Sequence, residues 1–112
     1  MLNQPALIRK HIKVEPLFWY HYCDVNGIIV WQDMINGGGK YGLEISVIPF
    51  LNITLNDNNY STFKRTDKEG RLLYYQELEE IVDSLYNCPC IALWTLFNEG
   101  WGQFDSAKAY DL

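Results

Sequence analysis

This sequence predicts an α/β fold of parallel strands and crossover helices, and three observations carry that prediction. Ile91 to Phe97 is a nearly unbroken apolar run between Pro89 and Gly100, the pattern of a strand buried on both faces. Leu72 to Tyr86, just before it, repeats apolar residues at helical spacing. Upstream, another helical stretch leads into a second apolar strand, Ile28 to Gln32. Strand and helix thus alternate along the chain, and such alternation builds parallel β/α units joined by right-handed crossovers.

Taken in order, Ala6 to His11 is a short strand, with Arg9 and His11 two apart and so on one face. Val14-Glu15-Pro16 opens a helix, Pro suiting its first position, and Gly27 stops it. Trp19, Tyr22 and Cys23 form its buried stripe, and His21 faces elsewhere. Strand Ile28 to Gln32 ends at Asp33. A long connection, 36–71, follows. It opens on the flexible Asn36-Gly37-Gly38-Gly39-Lys40, which lacks the spacing and following helix of a phosphate loop. Within it Gly42 to Leu55 leans helical, interrupted near Pro49, and Asn56 to Arg71 is polar and turn-rich. Loops of this length are usually functional. In the helix from Leu72 to Tyr86, Tyr74, Tyr75, Leu78, Ile81, Val82 and Leu85 face inward. Glu77, Glu79, Glu80 and Asp83 form a solvated stripe and not a metal cluster. Gly102 to Tyr110 begins a further helix.

Two carboxylates, Asp33 and Glu99, stand at the C-terminal ends of predicted parallel strands. Ligands of α/β folds bind at that end. On pattern alone, Glu99 either serves such a site or is a strand-end residue that meets solvent. The residues around it carry a resemblance. Trp94-Thr95-Leu96-Phe97-Asn98-Glu99 resembles the strand-four signature of glycoside hydrolase family 2, the β-galactosidases, β-glucuronidases and β-mannosidases. Asn87-Cys88-Pro89-Cys90-Ile91 is similar to that family's Asn-His-Pro-Ser-Ile lead-in, with Cys88 and Cys90 at the His and Ser places. Ile8-Arg9-Lys10-His11 resembles its strand-two motif, and Gly27-Ile28-Ile29-Val30-Trp31-Gln32-Asp33 its strand three. The three motifs stand in the family's order. Gln4-Pro5-Ala6 departs from the Gly-Phe-Asn that usually precedes strand two.

The resemblance implies part of a (β/α)8 TIM barrel, strands two to four, without the first strand and the last four. A whole barrel takes about 250 residues, and this chain has 112. It implies a retaining hydrolase of β-glycosidic bonds, in which one carboxyl donates and recovers a proton while a second attacks the anomeric carbon. Glu99 takes the general acid/base role, shielded from water by its apolar strand and by Trp101, as a proton donor requires. Asn98 binds the sugar 2-hydroxyl, Trp101 forms a wall, and Arg9 and His11 reach the substrate. Arg9 is equally suited to pairing with a structural acid. Asp33, where the family more often has Glu, supports the site by hydrogen bonding. The family's nucleophile lies on strand seven, so the chain alone is expected to be inactive. No cofactor is implied. The magnesium ligands of β-galactosidases are replaced here by Asn36-Gly37-Gly38-Gly39, so no metal is expected. A non-catalytic carbohydrate-binding or structural fragment is the alternative.

Bulk properties narrow the classes further. Net charge is −5, which argues against a nucleic-acid partner; the only basic cluster is Arg9, Lys10, His11 and Lys13. No apolar run approaches the roughly 18 residues of a membrane span, and Met1 to Pro5 shows no charged-then-apolar leader. The compartment stays open. Aromatics reach 15%, a supply that suits pyranose stacking, although most such rings fill a core. Cys23, Cys88 and Cys90 lack metal spacing and read as buried free thiols. Three consecutive parallel strands leave edges open along Ala6 to His11 and Ile91 to Phe97, and faces open at Ile29, Trp31 and Leu93. Homo-oligomerisation through the strands is therefore expected.

Overall fold

The computed structural model describes residues 6–37, 39–40, 42, 48–51, 53–100 and 102–110. Five main elements alternate: β1 (Leu7–Lys10), α1 (Leu17–Asn26), β2 (Ile29–Asp33), α2 (Lys68–Leu85) and β3 (Ile91–Thr95). The strands form one open, all-parallel sheet in the order β1-β2-β3. Arg9 pairs with Trp31 and Trp31 with Leu93, while Asp33 pairs with Thr95. The β2–β3 register shifts between Val30 and Trp31.

Both helices cover the same face of the sheet. Tyr20 and Cys23 of α1 share a buried cluster with Val30 of β2, Leu85 of α2 and Cys90, and Trp94 of β3 packs against it. A second cluster joins Tyr74 and Leu78 of α2 to Met34 and Phe104. Strands in sequence order with both helices on one side are what repeated right-handed crossovers in one direction produce. The opposite face carries Arg9, Trp31, Asp33, Leu93 and Thr95, by register and by strand alternation.

That open face corrects the burial predicted from the apolar run of β3 and agrees with the exposed face expected at Leu93. The strand is not buried on both faces: it ends at Thr95, and Leu93 is 48% exposed. The apolar run marks a strand, but among the described residues no element covers its second side.

Helix α1 ends as predicted, with Gly27 in the left-handed region (φ 65°) and its N–H bonded to Asp24 and Cys23 carbonyls. Pro16 sits at the N-cap, one place before the first helical residue. The buried stripe is Tyr20 and Cys23, whereas Tyr22 is exposed. Tyr20 is drawn inward because its hydroxyl has a buried partner: it donates to Gln32 Oε1 at 2.7 Å and accepts from Glu15 N at 3.2 Å. Gln32, buried on the helix side, gives its Nε2 to the carbonyls of Lys13 and Asp33 at 2.9 and 2.7 Å.

Helix α2 begins at Lys68, earlier than Leu72, because Asp67 caps it and accepts from Glu69 N at 3.0 Å. Tyr74, Leu78 and Leu85 are its buried residues. Glu77, Glu79, Glu80 and Asp83 are exposed. Of the segment predicted to lean helical, 43–47 lies outside the described residues, and Ile48–Leu51 is a 3-10 turn that contains Pro49 instead of being broken by it. The helix predicted from Gly102 is instead an irregular stretch followed by a 3-10 turn, Ser106–Tyr110. Cys23 and Cys90 are buried, Cys88 is half-buried and all three are free. Burial pushes the Cys90 thiol up to about 12, with the hydrogen bond to Asp24 acting in the same direction. No helix among the described residues is long and apolar enough to cross a membrane.

Candidate functional site at the strand ends

The C-terminal ends of the three strands bring together Arg9, Asp33 and Asn98, residues that stand far apart in sequence. Asp33 closes β2 and is fully buried. Arg9 Nε and a terminal nitrogen donate to its two carboxylate oxygens, each at 3.1 Å. This bidentate fork fixes the guanidinium in plane and direction. The same terminal nitrogen donates to Asn98 Oδ1 at 2.6 Å. The Arg9 guanidinium also lies over the Trp31 ring, 4.6 Å from its centre, and Trp31 Nε1 donates to Thr95 Oγ1 at 2.5 Å. Arg9 is therefore braced on two sides, by a charge and by an aromatic face.

His11 follows β1 in a turn, mostly exposed, with Nδ1 3.4 Å from Asp33 Oδ2. The next residue, Ile12, has φ 42°, an outlier for a β-branched side chain. Its N–H points at Asp33 Oδ2 over 3.4 Å. Asp33 is thus the hub of the cluster and gathers β1, the turn after it and, through Arg9, the residues after β3. The two lysines of the basic cluster, Lys10 and Lys13, share one partner, Glu15, at 2.5 and 2.9 Å. These two partners hold the Glu15 carboxyl below its ordinary value, Lys10 being the stronger influence.

Asn98–Gly100 forms a tight turn with Asn98 buried and Glu99 left-handed (φ 52°, ψ 20°). Glu99 is exposed, not shielded from water as the sequence suggests. Trp101, a predicted shield, lies outside the described residues.

No role predicted from the sequence falls on the residues that hold the far side of this turn. Gly102 (φ 66°) leaves no room for a side chain: a Cβ there would stand 2.7 Å from the Gly37 carbonyl and 2.9 Å from the Arg65 guanidinium. Arg65 Nε donates to the Gly102 carbonyl at 2.7 Å, and its terminal nitrogen bonds to Asn36. Phe104 is fully buried among Tyr74, Tyr75 and Phe97, with ring centres 5.3–5.6 Å apart. Only the Gly at 102 and the aromatic at 104 signal this in the sequence, and neither names its partners.

A cleft of about 440 Å³ lies at the same end, lined in part by Asn36, Arg65, Asp67 and Tyr74, and contains none of the predicted site residues. No cluster of three or more metal-ligating side chains occurs among the described residues. No protein-family model matches this chain, and no curated protein matches it.

Proposed function

We propose that this chain carries the acid/base half of the active site of a retaining β-glycosidase, within a (β/α)8 barrel of which β1, β2 and β3 are adjacent strands. One observation carries the reading: Arg9, Asp33 and Asn98 meet at the C-terminal ends of three neighbouring parallel strands, next to Glu99. That is the end at which barrel enzymes place their chemistry. The single-sided helices also favour the barrel, because a sheet wound in one direction rolls toward closure with its helices outside.

In this reading Glu99 protonates the departing glycosidic oxygen and then takes a proton from the water that releases the sugar. Its exposure suits a donor that meets substrate from the open side, with the bound sugar supplying the dry surroundings. Asn98 spends its amide oxygen on Arg9. Its amide nitrogen is then the end offered to a sugar, as a donor to the 2-hydroxyl oxygen. Arg9 and Asp33 hold Asn98 in that orientation. His11, at the rim, reaches hydroxyls of an oligosaccharide or simpler β-glycoside, and Trp101 serves as a stacking wall. Asp33 is not the nucleophile: it is buried and bound through both oxygens to Arg9. The reading places the attacking carboxylate on a later strand, outside these 112 residues. It calls for no metal or cofactor, because two carboxyls suffice.

The test is made in the polypeptide that completes the barrel. Glu99→Ala should lower kcat/KM on substrates with poor leaving groups and spare dinitrophenyl glycosides, whose leaving group departs without a proton. Azide should restore turnover and yield the β-glycosyl azide. Equal losses on both substrate classes, with no azide product, would remove Glu99 from the role. The chain by itself should not hydrolyse nitrophenyl β-glycosides.

A further inference from the structure

The turn carrying Glu99 is followed by a backbone that needs outside support. Glu99, Gly100, Gly102 and Asp105 all have positive φ, and two of the four are not glycine. Such conformations persist where the surroundings over-determine them. On its N-terminal side the turn is held by the Arg9–Asn98 bond. On its C-terminal side the support comes from the middle of the long 36–71 connection. Asp57 Oδ2 accepts from Gln103 Nε2 and from Ser106 N, both at 2.9 Å. Tyr60 OH donates to the Asp105 carboxylate, 3.0 and 3.2 Å from its two oxygens. Arg65 bonds the Gly102 carbonyl at 2.7 Å and stacks over the Phe104 ring.

We infer that the segment from Asp57 to Arg65 is a buttress, with Asp57, Tyr60 and Arg65 as positioning residues that set the direction of Glu99. The inference rests on the acid/base reading of Glu99. Asp57, Tyr60 and Arg65 bond to Gln103 and Ser106, to Asp105 and to Gly102 respectively. They act through residues 102–106, an irregular stretch tied back to the Glu99 turn by the bond from Gln103 N to the Gly100 carbonyl at 3.1 Å and leading into the 3-10 turn at Ser106. Anchoring both flanks leaves Glu99 with few directions to point. Displacement of a catalytic group by about 1 Å can cost on the order of 100-fold in rate. The long connection is then part of the site's scaffold and not a free lid.

The experiment uses the catalytically complete polypeptide and two substrate classes. Asp57→Ala and Tyr60→Phe should each lower kcat/KM on alkyl or sugar leaving groups, Asp57→Ala by about 10-fold or more. Both should leave dinitrophenyl glycosides within about twofold, since only protonation is misdirected. Asp57→Asn should recover most of the loss, because its amide oxygen still accepts from Ser106 N. The exposed Asn58→Ala, on the same connection, should change neither class. If Asp57→Ala does not fold, Tyr60→Phe, which deletes a single hydroxyl, decides. Equal losses on both classes, or no loss on either, would overturn the inference while the acid/base role of Glu99 stands. If Glu99→Gln itself shows no dependence on leaving group, the reading beneath the inference falls, and the inference falls with it.

Discussion

Asp33 shows how much one buried carboxylate can organise. Its two oxygens take the Arg9 fork, and the turn at Ile12 closes over it. Removing one partner of a buried pair costs more than the pair itself contributes, because the remaining charge loses its compensation. Arg9→Met should therefore destabilise the chain by about 2 kcal/mol, at the lower end because the guanidinium reaches water. The measurement is urea unfolding followed by tryptophan fluorescence, and an unchanged midpoint would show that Asp33 is satisfied without Arg9. Asp57 makes a pH-dependent contribution. Burial alone pushes its carboxyl up, but the hydrogen bonds from Ser106 and Gln103 together outweigh it and hold the group below its ordinary 3.8. A carboxyl with a lowered folded-state value stabilises above its unfolded value, and that contribution is lost as pH falls through the folded value. The difference in unfolding midpoint between the wild type and Asp57→Ala should be full at pH 6 and shrink below the ordinary 3.8. A difference that grew with acidity would reverse the sign assigned here.

At the scale of elements, the ends are decided by single residues. Gly27 takes φ 65°, and nothing stands within 4 Å of the place where its Cβ would be. Gly27→Ala thus meets backbone strain without a clash, and should cost about 1 kcal/mol by urea denaturation. Gly27→Asn should cost less, since Asn tolerates the left-handed region better. If Ala and Asn were equally harmless, the turn would not demand that region. Helix α2 owes its early start to the Asp67 cap, and Gly70 is matched to it: a Cβ at Gly70 would stand 2.8 Å from Asp67 Oδ2. The long connection between β2 and α2 is likewise a structured element. It is tied to the segment after β3 by Asp57, Tyr60 and Arg65.

The whole molecule is open. Its radius of gyration is 16.3 Å, against about 13 Å for a compact domain of this length. The sheet has helices on one side, and Leu7 and Leu93 stand 64% and 48% exposed on or beside the other. Each large apolar side chain left in water forgoes about 1.5–3 kcal/mol. Covering that face and the open β3 edge is the most direct way to recover it. The chain should therefore self-associate at micromolar concentration, and Leu93→Lys should shift it toward monomer. Light scattering reads the outcome. A monodisperse 13.1 kDa species with no binding of a dye for exposed apolar surface would show that the face tolerates water.

Periodicity and punctuation along the chain were enough to determine the five main elements, but not the 3-10 turns at Ile48–Leu51 and Ser106–Tyr110. The apolar run before Asn98-Glu99, the helical spacing from Tyr74 to Leu85 and the stop at Gly27 are local signals, because they report which side of one element is dry. They also place Asp33 and Asn98 at or just beyond strand ends, since strand ends are read from where apolar runs stop. Burial of a face is not local. Whether β3 is covered on both sides depends on what packs there: its apolar run by itself reads as dry on both faces, and the exposure of Leu93 follows only from counting three strands in one open sheet. The choice of Tyr20 over Tyr22 depends on Gln32 across the sheet–helix interface. The meeting of Arg9 with Asn98 needs the register of three strands, and the tie from Asp57 to Ser106 joins loops 49 residues apart. Neither pairing has a periodicity to announce it: side chains find such partners only after the sheet has aligned the strand ends. The sequence therefore determines which stretches form the strands, while tertiary structure alone decides where each strand stops, which of the residues at its end touch and how exposed Glu99 is.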